Sequence, residues 1–182
     1  HIGVPLTLLD FDQKLEIGIV EMGANHQKEI NFLCQLAQPD IGLITNFGEA
    51  HLEGFGGYEG VIKGKSELYV YLSQTKGTIV LNSDDTLQKK WKYYSPHFTY
   101  GEDVEADCHL EYLKRKSKPL AIRSKGKTIE SQLYSEYNYP NIAGAVALGK
   151  YFDLTLEEIK LGILSYKPTN NRSQIIHRGS NT

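Results

Sequence analysis

The chain has 182 residues, 40% of them hydrophobic and 23% charged, with a formal net charge of −2. That length accommodates one sizeable core or at most two small ones, and the near-neutral balance gives no electrostatic argument for nucleic acid or an anionic membrane surface. There is no run of about 18 apolar residues to span a bilayer. Cys34 and Cys108 are too few and too far apart for a disulfide framework or a thiolate metal site, which suits a reducing, cytoplasmic setting.

In chain order, Leu15–Val20 is a nearly continuous apolar run, the pattern of a strand covered on both faces, and it ends at Glu21. A helix is expected over His26–Ala37, broken by Pro39-Asp40. Ile41–Ile44 reads as a second buried strand ending at Thr45-Asn46, and Tyr58–Leu72 as a helix with Val61, Leu68 and Leu72 on one face. A third strand, Thr78–Leu81, runs into Asn82-Ser83-Asp84-Asp85, where Asp84 or Ser83 would cap a helix over Thr86–Lys92. This alternation predicts an α/β fold, a mostly parallel sheet flanked by helices. Short strands at Phe98–Tyr100, Cys108–Leu113, Leu120–Arg123 and Thr128–Leu133 then read as an antiparallel β excursion or sheet edge rather than a separate domain. Its basic cluster (Lys114, Arg115, Lys116, Lys118, Arg123, Lys125 and Lys127) reads as a solvated ribbon. Two helices follow, about Asn138–Phe152 and Leu156–Tyr166, the second opened by a capping box of Thr155 and Glu158. Pro168-Thr169-Asn170-Asn171 reads as a linker.

One residue breaks the apolar stripe of the Tyr58–Leu72 helix. Lys65 lies four residues after Val61 and three before Leu68, on the same face. Burial disfavours an ammonium and frees a neutral amine, which is a nucleophile and can take up carbon dioxide to become a carbamate anion. The alternative is that Lys65 snorkels to the surface or pairs with Glu67 or Glu59. The same helix holds a false lead. Gly60-Val61-Ile62-Lys63-Gly64-Lys65-Ser66 approaches the phosphate-binding pattern G-x-x-x-x-G-K-[ST], but its glycines are one residue too close and the apolar stripe runs straight through the lysine.

Ligands of an open parallel sheet bind at the carboxyl ends of its strands, where Glu21 and Thr45-Asn46 stand, with His51 a short loop beyond. A carboxylate and an imidazole meeting there can hold a divalent cation, and oxygen-rich surroundings favour magnesium or manganese over zinc. Glu21 as a helix-capping carboxylate and His51 as a hydrogen-bonded loop residue are the competing readings. The run Glu49-Ala50-His51-Leu52-Glu53 is either a compact metal cluster or a solvated loop. Magnesium in such a position commonly accompanies nucleotide phosphates.

Glu21-Met-Gly-Ala-Asn25, Thr45-Asn-Phe-Gly-Glu-Ala-His-Leu-Glu53, Gly64-Lys-Ser-Glu67 and Leu81-Asn-Ser-Asp-Asp85, in this order, resemble the central ATPase domain of the Mur ligases. Ile2–Leu9 and Asn138–Ala145 are similar to the branch that adds D-alanyl-D-alanine to UDP-N-acetylmuramoyl-tripeptide. The resemblance implies ATP and two magnesium ions as cofactors. Glu21 and His51 would be magnesium ligands, and a carbamylated Lys65 would bridge to the second ion. Asn138 would contact the adenine, Tyr137 standing where the family has histidine, Asn141 would be a further nucleotide-binding residue, and Arg172 would reach the nucleotide from a hinge. The implied reaction phosphorylates a carboxylate to an acyl phosphate that the incoming amine attacks. The family's P-loop strand and helix would lie upstream of His1. Residues 1–167 would then be an incomplete central domain and 168–182 the hinge and start of a C-terminal domain, in a cytoplasmic monomer whose isolated fragment is inactive. A folylpolyglutamate synthetase-like enzyme and a non-catalytic nucleotide-binding module are the alternatives.

Overall fold

The computed structural model describes residues 2–48 and 52–168. Seven α-helices and seven strands are found among them: α1 (Gly3–Leu9), α2 (Glu29–Ala37), β1 (Ile41–Leu43), α3 (Leu52–Phe55), α4 (Tyr58–Thr75), β2 (Thr78–Asn82), α5 (Thr86–Lys89), β3 (His97–Gly101), β4 (Cys108–His109), β5 (Glu111–Leu113), β6 (Ala121–Ser124), β7 (Lys127–Glu130), α6 (Tyr139–Tyr151) and α7 (Leu156–Ser165). Four strands form one sheet in the order β1-β2-β3-β4, and β5, β6 and β7 form another. The chain divides into two compact units, residues 1–79 with 91–97, and residues 80–90 with 98–182.

The first unit is built around α4. Its neighbour β1 carries Gly42, and a Cβ there would stand 2.6 Å from Leu72 Cδ1 and 2.9 Å from Leu68 Cδ2. Only a glycine lets the helix lie this close to the strand. The two glycines that imitated a phosphate loop have the same function. A Cβ on Gly60 would strike the backbone of Phe55, and one on Gly64 its ring, so both are packing positions under α3. A second cluster joins Val4 of α1 to Ile30, Leu33 and Cys34 of α2, with Val20, Met22, Ala24, Leu68 and Tyr71 against it.

The expected strand Leu15–Val20 is absent. The segment is irregular and, up to Val20, its side chains face outward, with Leu15 45%, Ile17 51% and Ile19 81% exposed. An apolar run marks a segment suited to two-sided burial, but a strand needs ladder partners, and the described residues supply none here. Helix α2 starts three residues later than expected, because Lys28 takes a left-handed conformation (φ 71°) at its N-cap. The short helices α1 and α3 were not expected at all.

In the second unit, β3 and β4 pair parallel, Tyr100 opposite Cys108 and Gly101 opposite His109. The expected strand Cys108–Leu113 is therefore two strands: the chain leaves one sheet at Leu110, whose N–H bonds the Gly101 carbonyl, and enters the other at Glu111. The antiparallel excursion is confined to β5–β6–β7, with Tyr112 opposite Ile122 and Ile122 opposite Ile129. Two basic residues of that ribbon pair with acids across it, Arg115 with Glu130 at 2.7 Å and Arg123 with Glu111 at 3.1 Å. Asp85 rather than Asp84 or Ser83 caps α5, accepting from the N–H of Leu87 at 2.8 Å and of Gln88 at 3.4 Å. Asp84 instead takes the Glu102 N–H, and Ser83 donates to the Tyr100 carbonyl. The capping box of Thr155 and Glu158 is present.

Replacing Gly42 with Ala should destabilise the protein by about 1–3 kcal/mol, the usual cost of overpacking a closed contact. Urea denaturation checks this, and unchanged stability would show that α4 can retreat from β1 freely.

Candidate functional site

Helix α4 places Lys65 half-buried on its inner face, and its Nζ donates to the Asn46 carbonyl at 2.8 Å, just beyond the end of β1. Among the described residues no carboxylate pairs with it. Glu67, the partner that spacing suggested, points elsewhere: it accepts the backbone N–H of Lys28 and, at 2.9 Å, that of Asn31, closing the N-terminus of α2. Burial alone lowers the Lys65 pKa from the ordinary lysine value, which enlarges the neutral, nucleophilic fraction.

One helical turn further on, Tyr69 is fully buried, and its hydroxyl accepts the Ile44 N–H at 3.2 Å. Its ring meets Trp91 edge-on, with centroids 5.7 Å apart. Lys65, Glu67 and Tyr69 thus bond backbone groups of two separate segments from one stretch of helix. Sequence reasoning identified the lysine but missed the work of the other two. Glu67 was visible as part of Gly64-Lys-Ser-Glu67, whereas its destination depends on tertiary structure.

Glu21 is exposed. Val20, Met22 and Ala24 turn in toward the α2–α4 cluster while Glu21, Gly23 and Asn25 turn out, the alternation of an extended backbone. The carboxylate is therefore presented rather than spent on capping. Glu29 instead reaches back to the segment before α2, its Oε2 accepting from the N–H of Asn25 at 2.7 Å and of His26 at 3.2 Å. These bonds, chiefly that from Asn25, hold the Glu29 pKa below the ordinary carboxylate value. With Glu67 taking two more N–H groups, this helix start, by its dipole a natural phosphate site, is closed by the protein's own carboxylates.

Asn138 and Asn141 lie in the second unit. Asn138 is buried at the start of α6, yet its side chain makes no capping bond to that helix. Asn141 is exposed one turn along, on the same side of the helix. Beside them the Tyr139 hydroxyl is buried without a hydrogen-bond partner, as is that of Tyr100, and burial raises the pKa of both. Tyr139 packs on Tyr112 with ring centroids 4.6 Å apart. His51 and Arg172, together with Glu49 and Ala50 of the acidic loop, lie outside the described residues. No cluster of three or more His, Cys, Asp or Glu able to hold a metal ion is found among those described. Both cysteines are free and buried, and burial pushes each thiol up to about 11.

Residues 1–149 match the family model described as Mur ligase middle domain. The chain belongs to the Mur ligase middle-domain family. It is 35% identical over 167 residues to a UDP-N-acetylmuramoyl-tripeptide–D-alanyl-D-alanine ligase of Haemophilus influenzae, covering 89% of this chain and 36% of that protein. It is 31% identical over 182 residues to the enzyme of the same name from Bacillus subtilis, covering 99% of this chain and 39% of that one. Of solved structures, MurF from Acinetobacter baumannii superposes with a TM-score of 0.82 at 25% identity, over 97% of this chain and 40% of that chain. MurF ligase from Thermotoga maritima, in complex with ADP, gives 0.73 at 25% identity, over 92% and 40%. The chain thus spans well under half the length of the relatives it matches. The α/β fold, with its parallel sheet and separate antiparallel sheet, is the one expected.

Tyr69→Phe keeps the ring and deletes the acceptor, so it should cost about 1–3 kcal/mol, the penalty for removing one partner of a buried hydrogen bond. Amide hydrogen exchange should show the Ile44 N–H losing protection. Unaltered exchange there would mean that the hydroxyl does not hold the strand end.

Proposed function

We propose that this chain supplies the ATP- and magnesium-binding domain of a ligase that joins D-alanyl-D-alanine to UDP-N-acetylmuramoyl-tripeptide in peptidoglycan synthesis. The observation that carries the reading is Lys65: a half-buried lysine with a lowered pKa, without a carboxylate partner among the described residues, fixed at a strand end of a Mur ligase middle domain. The two relatives named above carry that activity in their names, and one structural neighbour was solved with ADP.

The donor set fits magnesium. Glu21 offers an exposed hard oxygen ligand, and the amine of Lys65 can become a carboxylate-like carbamate. We assign Glu21, His51 and carbamylated Lys65 as the residues that hold two ions. When bound, magnesium screens phosphate charge and stabilises what develops on the transferring phosphoryl group. The chain's own work is positioning. The Asn46 carbonyl holds Lys65 Nζ, which keeps one N–H to donate even as a carbamate, and Tyr69 holds the strand end from which Asn46 projects. In the second unit, Asn138 and Asn141 are assigned to the adenine, and Arg172 to the nucleotide from a hinge over residues 168–182. The substrate carboxylate becomes an acyl phosphate, and attack by the dipeptide amine releases inorganic phosphate. We place the enzyme in the cytoplasm as a monomer.

Phosphate release by the full-length protein with ATP and magnesium should require both UDP-N-acetylmuramoyl-tripeptide and D-alanyl-D-alanine. Release with neither, or with other acceptors only, would redirect the reading to a different ligase. Lys65→Ala should reduce turnover by on the order of 10²-fold or more, with partial rescue by added short carboxylates. Full activity in that variant would remove the carbamate from the mechanism.

A further inference from the structure

We propose that His26 is the base that accepts a proton from the incoming amine in the ligation step, an assignment that rests on the ligase reading above. Glu29 reaches back from the first turn of α2 and sets its Oε1 3.5 Å from His26 Nδ1 while its other oxygen accepts the His26 backbone N–H. A carboxylate at Nδ1 favours the tautomer that carries its proton there, which leaves the Nε2 lone pair as a proton acceptor. The imidazole side chain remains 66% exposed, so a substrate can reach it.

Two tethers bring this ring to the segments that carry the site. The backbone just before it packs on α3 so tightly that a Cβ on Gly54 would collide with the Asn25 carbonyl, and the same Cβ would lie 3.5 Å from His26 Nε2. Just after it, the Lys28 and Asn31 N–H groups bond Glu67, two residues along α4 from Lys65. The loop from Glu21 to Lys28, α3 at Gly54 and the middle of α4 around Lys65 and Glu67 are therefore held together within the first unit, and His26 is the imidazole among the described residues of that junction.

The chemistry requires such a group. An α-amino group has a pKa of about 7.7–8.0 and arrives mostly as the non-nucleophilic ammonium at pH 7. In the proposed step one ammonium N–H bond breaks and its proton passes to Nε2. The freed nitrogen pair forms the C–N bond to the acyl carbon, the bond from that carbon to the phosphate oxygen breaks, and the second N–H proton passes to the departing phosphate, which leaves as hydrogen phosphate.

Hydroxylamine separates a base from a structural role, because it attacks acyl phosphates already unprotonated near neutral pH. With the full-length protein, ATP, magnesium and UDP-N-acetylmuramoyl-tripeptide, His26→Ala and His26→Gln should lower amide formation with D-alanyl-D-alanine by on the order of 10²-fold or more. Hydroxamate formation with hydroxylamine should stay within about twofold of the unsubstituted protein, since acyl-phosphate formation does not use the base. Amide formation at the original rate in both variants overturns the assignment. Parallel loss of amide and hydroxamate also overturns it, because His26 would then serve the fold or the earlier step. If the unsubstituted protein yields neither product, the ligase reading itself fails, and this assignment with it.

Discussion

The bond from Lys65 Nζ to the Asn46 carbonyl is the contact on which the chemistry proposed for the first unit depends. It exists because Gly42 has no side chain: α4 can lie against β1 closely enough for a lysine on the helix to reach a backbone oxygen beyond the strand end. The same approach brings Tyr69 within reach of Ile44. Once α4 is in place, burial acts on the amine by itself. With no carboxylate among the described residues to compensate, desolvation lowers its pKa, and a residue type normally spent on solubility becomes available for covalent chemistry.

Charge placement around α2 complements this. Four backbone N–H groups at or before its start are taken by Glu29 and Glu67, so the dipole of that helix is answered internally. The cost is the loss of an anion site at this helix start. The gain is a fixed connection between the exposed Glu21 segment and α4. The two carboxylates make the chain around His26 and Lys28 rigid at a point where the backbone must adopt a left-handed turn.

Much of this was legible in the residues, and the exceptions have physical causes. The inward position of Lys65 follows from helical spacing alone, since Val61 and Leu68 define the face. The capping box of Thr155 and Glu158 is local chemistry and was readable for that reason. Leu15–Val20 was misread because an apolar run reports suitability for burial, whereas a strand also needs partners. Cys108–Leu113 was read as one strand because nothing local marks the change of sheet at Leu110. Asp85 won the α5 cap over its neighbours because Asp84 and Ser83 are engaged by Glu102 and Tyr100, which are distant in sequence. Within the candidate site, Lys65 stood out by its spacing on the helix. The ion pair considered for Lys65 failed because Glu67 finds two backbone donors on α2, a competition that exists only in the folded chain.

The central claim is that Lys65 is a carbamate-forming amine, and carbon-13 NMR with labelled bicarbonate tests it most directly. The account predicts a carbamate resonance that is strong at alkaline pH, fades as the pH falls through the lowered lysine pKa, and is absent from Lys65→Ala. A folded protein showing no Lys65-dependent resonance at alkaline pH and saturating bicarbonate would contradict it.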